Sequence, residues 1–126
     1  MKEFMLLIRN QGDAKAALPA EEHTAFVRQC EVYINALKAA GQLISAQPLL
    51  REGMVLSRAG GHWEQRPLAT SGEVQVGYYH ILAGSLEEAI GIAQRNPEFD
   101  YVPTASIEVR PIKTKEVATG FEYPNK

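Results

Sequence analysis

The stretch Val74-Gln75-Val76-Gly77-Tyr78-Tyr79-His80-Ile81-Leu82-Ala83, followed at once by Gly84-Ser85-Leu86-Glu87-Glu88-Ala89, decides the fold class. Residues 74–83 are dense in β-branched and aromatic side chains, which predicts a strand. Ser85 is a good helix N-cap, and Glu88 three residues later completes a capping box. The helix so started runs over 85–95 and stops at Asn96-Pro97, because a residue before proline is pushed out of helical geometry. A second strand follows over 106–112, with Ile107 and Val109 on one face and Glu108 and Arg110 on the other. The C-terminal half is therefore one β-α-β unit.

Working back from this unit, the N-terminal half repeats the order. Phe4 to Ile8 is a continuous apolar run of strand length, which predicts a central strand covered on both faces. Pro19 to Ala40 reads as a helix: proline suits its first turn, Glu21 and Glu22 complement the positive end of its dipole, and Gly41 stops it. At about 100° per residue, Phe26, Val27, Cys30, Tyr33, Ile34 and Leu37 form one apolar stripe, the face of a helix lying on a sheet. A strand follows over 43–50, with Pro48 marking an edge. Residues 53–58 and 62–66 read as a hairpin around Ala59-Gly60-Gly61.

The resulting order, β-α-β-(hairpin)-β-α-β, predicts an α+β domain of the ferredoxin-like kind, with two helices on one face of an antiparallel sheet. The other face then needs cover, and two such sheets facing each other in a homodimer, a dimeric α/β barrel, would supply it. The domain is expected over 1–112, with a polar tail over 113–126.

Composition narrows the class. The 126 residues fit one domain, 45% are hydrophobic and 22% charged, and the net charge is −2. No basic surplus points to nucleic acid or to an anionic membrane. Cys30 has no partner for an internal disulfide, and the apolar run at the N-terminus is too short for a signal peptide or a membrane span. A cytoplasmic location is expected.

The chain resembles the YCII-related proteins, specifically their DGPF-domain branch. The resemblance runs from Lys2 to about Ile112. It is carried by Phe4-Met5-Leu6-Leu7-Ile8, Leu37-Lys38-Ala39-Ala40-Gly41, Gly77-Tyr78-Tyr79, Ser85-Leu86-Glu87-Glu88-Ala89 and Ile107-Glu108-Val109-Arg110-Pro111-Ile112. The resemblance implies a dimeric α/β barrel and says little about activity. The branch's Asp-Gly-Pro-Phe box falls on Gln65-Arg66-Pro67-Leu68, where only the proline is kept. The histidine and aspartate suggested as a catalytic pair in the related YCII branch fall on Cys30 and Asn96, so that pair does not carry over.

Candidate chemistry rests on a few polar residues placed on elements expected to be buried. His23 lies within the stripe of the first helix; burial and the helix N-terminus would keep it neutral, as a base in a cleft or as a hydrogen-bonded rim residue. Tyr78 and His80 share a strand face, where they would line an apolar pocket as ligand-binding and catalytic groups or make dimer contacts. Glu108 and Arg110 share a face as well; Arg110 could clamp a carboxylate or phosphate, or the two could form a fixed salt bridge. Cys30 reads as a small core hydrophobe, Asp100 and Tyr101 as rim residues of a loop, and His62-Trp63 as a hairpin tip that packs on a partner. The histidines are scattered and no HxxxH, CxxC, GxGxxG, Walker or GxSxG spacing occurs, so neither a metal nor a cofactor is expected. Two functions remain open: a small-molecule-binding or weakly catalytic barrel working by acid–base chemistry, and a non-enzymatic regulatory dimer.

Overall fold

The computed structural model describes residues 1–124. Six strands, β1 (Lys2–Gln11), β2 (Leu43–Pro48), β3 (Met54–Ala59), β4 (His62–Pro67), β5 (Glu73–Ala83) and β6 (Ser106–Pro111), alternate with helices α1 (Ala20–Ala39), α2 (Leu86–Gln94) and the one-turn α3 (Glu98–Tyr101). A four-stranded antiparallel sheet has the order β2-β5-β1-β6, and β3 and β4 pair as a separate two-stranded sheet. The chain is thus mixed α+β, with the connectivity and strand order of the split β-α-β arrangement. Strand β2 ends at Pro48 on the sheet edge, where a residue without an N–H costs no ladder bond.

Side chains alternate across the sheet as the two-residue period requires. Phe4, Leu6 and Ile8 of β1 and Tyr79, Ile81 and Ala83 of β5 are buried against Leu37 of α1 and Ala89, Ile92 and Ala93 of α2. Met5, Leu7, Tyr78, His80 and Leu82 point to the other face, where they are half-buried. The period is broken once. Ile8 pairs with Gly77 and Arg9 with Gln75, so Val76 is an extra residue bulged into β5. The bulge brings Val74 and Val76 to the same helix-covered side as Tyr79, and it falls where β2 presses close. A Cβ on Gly77 would stand 3.0 Å from the Gln47 carbonyl oxygen, so only glycine fits there without a shift.

Local chemistry accounts for the helix and turn boundaries. Ser85 Oγ accepts the Glu88 N–H at 3.1 Å, which starts α2 where the capping box places it. Gly60 and Gly61, both at positive φ, join β3 to β4 in the two-residue turn that matches strand twist. Helix α3 was not foreseen: Asp100 and Tyr101, read as loop residues, lie on it, and Tyr101 packs edge-on against Phe26 at 5.5 Å. The described part of the tail folds back on itself, with Lys115 and Glu122 bridged and the Tyr123 N–H bonded to the Thr114 carbonyl at 2.9 Å. The last two residues of the expected 113–126 tail lie outside the described residues.

Candidate functional site

The apolar stripe of α1 does not close on the sheet along its whole length. Leu37, near the C-terminal end, is buried, whereas Val27 remains 41% exposed. Between the N-terminal half of α1 and the β2–β5 side of the sheet lies a cavity of about 450 Å³. Phe26, Val27, Cys30 and Ile34 line it from the helix, and Ala46, Val76 and Tyr79 from the sheet. This size and a largely apolar lining are those of small-molecule sites. At the mouth, Arg51 after β2 and Asp13 after β1 form an exposed ion pair at 2.6 Å.

Polar groups gather at one end of the cavity. Lys15 Nζ lies 3.0 Å from Oε2 of Glu98, a carboxylate almost fully buried at the start of α3, and 5.1 Å above the Phe26 ring. Buried charge is tolerated only when paired, so this contact ties α3 to the loop after β1. Asn96 Oδ1 accepts the Glu98 N–H at 2.9 Å, an Asx-type turn that fixes the side-chain amide. Its Nδ2 then stands beside the Tyr33 and Tyr79 hydroxyls, close enough to lower their pKa values but without a well-formed hydrogen bond. Burial outweighs that pull. The Tyr33 phenol is pushed up to about 12, and Tyr79 is raised further. Tyr33 donates to the Ile92 carbonyl at 2.7 Å. Burial, reinforced by Glu98, also pushes the Cys30 thiol up to about 11, so it is a protonated weak donor near neutral pH rather than a nucleophile.

The residues singled out from sequence separate into two places. His23 lines the cavity but is exposed, and the burial expected of it is absent because the first turns of α1 stand off the sheet. His80 lies on the face away from the helices, its Nε2 2.7 Å from Glu3 Oε1, with both side chains 14% exposed. Tyr78 also borders the cavity, but its side chain points to the other face of the sheet, where the hydroxyl is 3.4 Å from Ser45 Oγ, a weak contact at best. Glu108 accepts from Arg9 at 2.7 Å and lies 3.5 Å from Arg110, whose side chain is mostly exposed. His80, Glu108 and Arg110 therefore do not line the cavity between α1 and the sheet.

Sequence reasoning missed the cavity's polar end. Tyr79 was visible as the other face of the same strand. Asn96 was visible only as the position of the related branch's suggested aspartate, and Lys15 and Glu98 were not visible at all, because the three meet only through the packing of α3. Trp63 is 68% exposed on the hairpin, with the Arg58 guanidinium 5.4 Å from its ring centre. Among the described residues no cluster of ligating side chains could hold a metal ion, and no helix is long and apolar enough to cross a membrane.

No protein-family model matches the chain, and no curated protein does. Among solved structures, it is similar to a de novo designed protein with a ferredoxin fold, LFR1 1, determined by solution NMR. The identity is 14% and the TM-score 0.40, over 98% of this chain and 95% of that one.

Proposed function

We propose that this is a YCII-like protein that binds a small, mainly apolar molecule between α1 and the sheet, and that it works as a homodimer. The observation that carries the binding reading is the cavity of about 450 Å³, apolar along its length and polar at one end around Tyr79 and the Lys15–Glu98 pair. His23 at the mouth is the one candidate base from sequence that borders it with an ionisable imidazole. A thermal-shift screen against a broad metabolite set tests this, comparing wild type with Val27→Trp, which blocks the mouth from an exposed helix position. A ligand at about 100 times its dissociation constant stabilises the fold by about 2.7 kcal/mol, a shift of several degrees. Hits abolished by Val27→Trp support the cavity; hits that survive it place binding elsewhere.

A second reading, a regulatory or interaction dimer, is favoured by the open face of the sheet. There Met5, Leu7 and Leu82 are half-exposed, while Glu3, His80, Arg9 and Glu108 are already paired within one chain. Pre-paired charges between apolar side chains suit a face that another sheet covers, because pairing lowers the cost of desolvation. Sedimentation at micromolar concentration should give a dimer, and a stable monomer would remove the barrel.

A further inference from the structure

The cavity wall holds a hydrogen-bond donor that no acceptor among the described residues takes up. Tyr79 is 9% exposed, lines the cavity and packs edge-on against Tyr33 at 5.5 Å, with Cys30, Asn96 and Glu98 near enough to act on its hydroxyl electrostatically. A tyrosine hydroxyl has one proton to give and lone pairs to receive. The Asn96 amide approaches the oxygen from outside the cavity lining. The neighbouring Tyr33 gives its proton to the Ile92 carbonyl, but among the described residues no acceptor takes that of Tyr79. A hydroxyl donor on the wall of a largely apolar cavity, with no such acceptor, is a ready contact for a ligand that supplies one.

We infer that the bound molecule presents a neutral carbonyl oxygen to the Tyr79 hydroxyl, with its apolar body along Phe26, Val27 and Ile34. This rests on the cavity-binding reading above and adds the chemical class of the ligand. Three features select a neutral acceptor. Burial keeps the phenol protonated, and hence a donor, throughout the physiological range. The Asn96 side chain, its Oδ1 already accepting from Glu98 N–H, turns its donor NH2 edge to the hydroxyl and so does not compete for the phenolic proton. A ligand carboxylate is disfavoured, since Asp13, Glu31 and Glu98 line the cavity against Lys15 and Arg51, and both cations are already paired.

The test uses 1-indanone, its carbonyl-free counterpart indane, and indane-1-carboxylate, titrated into the full-length protein and followed by amide chemical shifts of the cavity residues. Wild type should bind 1-indanone roughly three- to tenfold more tightly than indane, and the carboxylate more weakly than the ketone. Tyr79→Phe should erase the ketone's advantage over indane. The infrared carbonyl stretch of bound 1-indanone should lie lower in wild type than in Tyr79→Phe. Equal binding of ketone and indane to wild type, or a ketone preference that survives Tyr79→Phe, overturns the inference and leaves the cavity reading standing. If none of the three perturbs the cavity residues, the cavity reading itself falls, and the inference with it.

Discussion

Lys15 Nζ and Glu98 Oε2, 83 residues apart in sequence, stand 3.0 Å from each other at the inner end of the cavity. The lysine side chain is 20% exposed and the glutamate 6%, so the carboxylate depends on this one cation far more than the cation depends on it. Lys15→Met should therefore cost about 2–4 kcal/mol, because it leaves a buried charge uncompensated. Glu98→Gln should cost less, about 1 kcal/mol, since the lysine can turn toward water. Urea denaturation of both variants checks the order, and a larger loss for Glu98→Gln would refute the asymmetry.

Stability should fall at alkaline pH through Cys30. Its folded pKa of about 11 stands above the reference value of 9.0, chiefly because of burial, so the folded state holds its proton more tightly than the unfolded chain. The contribution is fully present below pH 9 and is lost as pH rises toward 11. Cys30→Ala should flatten the stability curve across that window. Iodoacetamide labelling of the native protein should remain slow at pH 8 and accelerate only above about pH 10. Identical pH curves for wild type and Cys30→Ala would show that the thiol is not shielded.

Gly77→Ala should destabilise by about 1–3 kcal/mol, although its φ is not in the left-handed region. The added Cβ would lie 3.0 Å from the Gln47 oxygen and 3.3 Å from Pro48 Cα, both backbone atoms that cannot turn aside. The edge strand must move instead, so amide exchange should quicken along β2. Unchanged exchange there would contradict the close approach.

Asn10 is fully buried on the helix-covered side of β1, and neither atom of its amide has a hydrogen-bond partner among the described residues. Asn10→Val should raise stability by about 1–2 kcal/mol by removing two unmet polar groups and adding a β-branched side chain to a strand. A loss in urea denaturation would mean that the amide is satisfied in solution, by water or by a ligand.

The split between sequence and tertiary structure follows from the range of the interactions. Propensity, periodicity and capping act within a few residues. They were enough to place the strand over 74–83, the Ser85 cap, the Gly60-Gly61 turn and the edge role of Pro48, and hence the mixed α+β order. The site was only half legible. His23 could be assigned to the first helix, but whether that helix touches the sheet at His23 depends on how α1 sits over β2 and β5, and it stands off. The meeting of Lys15, Cys30 and Tyr79 with the Asn96–Glu98 turn has no local signal, because the four come from different segments. Even the face taken by Tyr78 and His80 was undecided by the strand's own pattern: a period of two names two faces, and only helix packing says which is covered. The sequence by itself determined the strands, the two long helices and their order, but not the one-turn α3. Only the tertiary structure decided which polar groups share a cavity, because burial and pairing across 83 residues are properties of packing and not of the local chain.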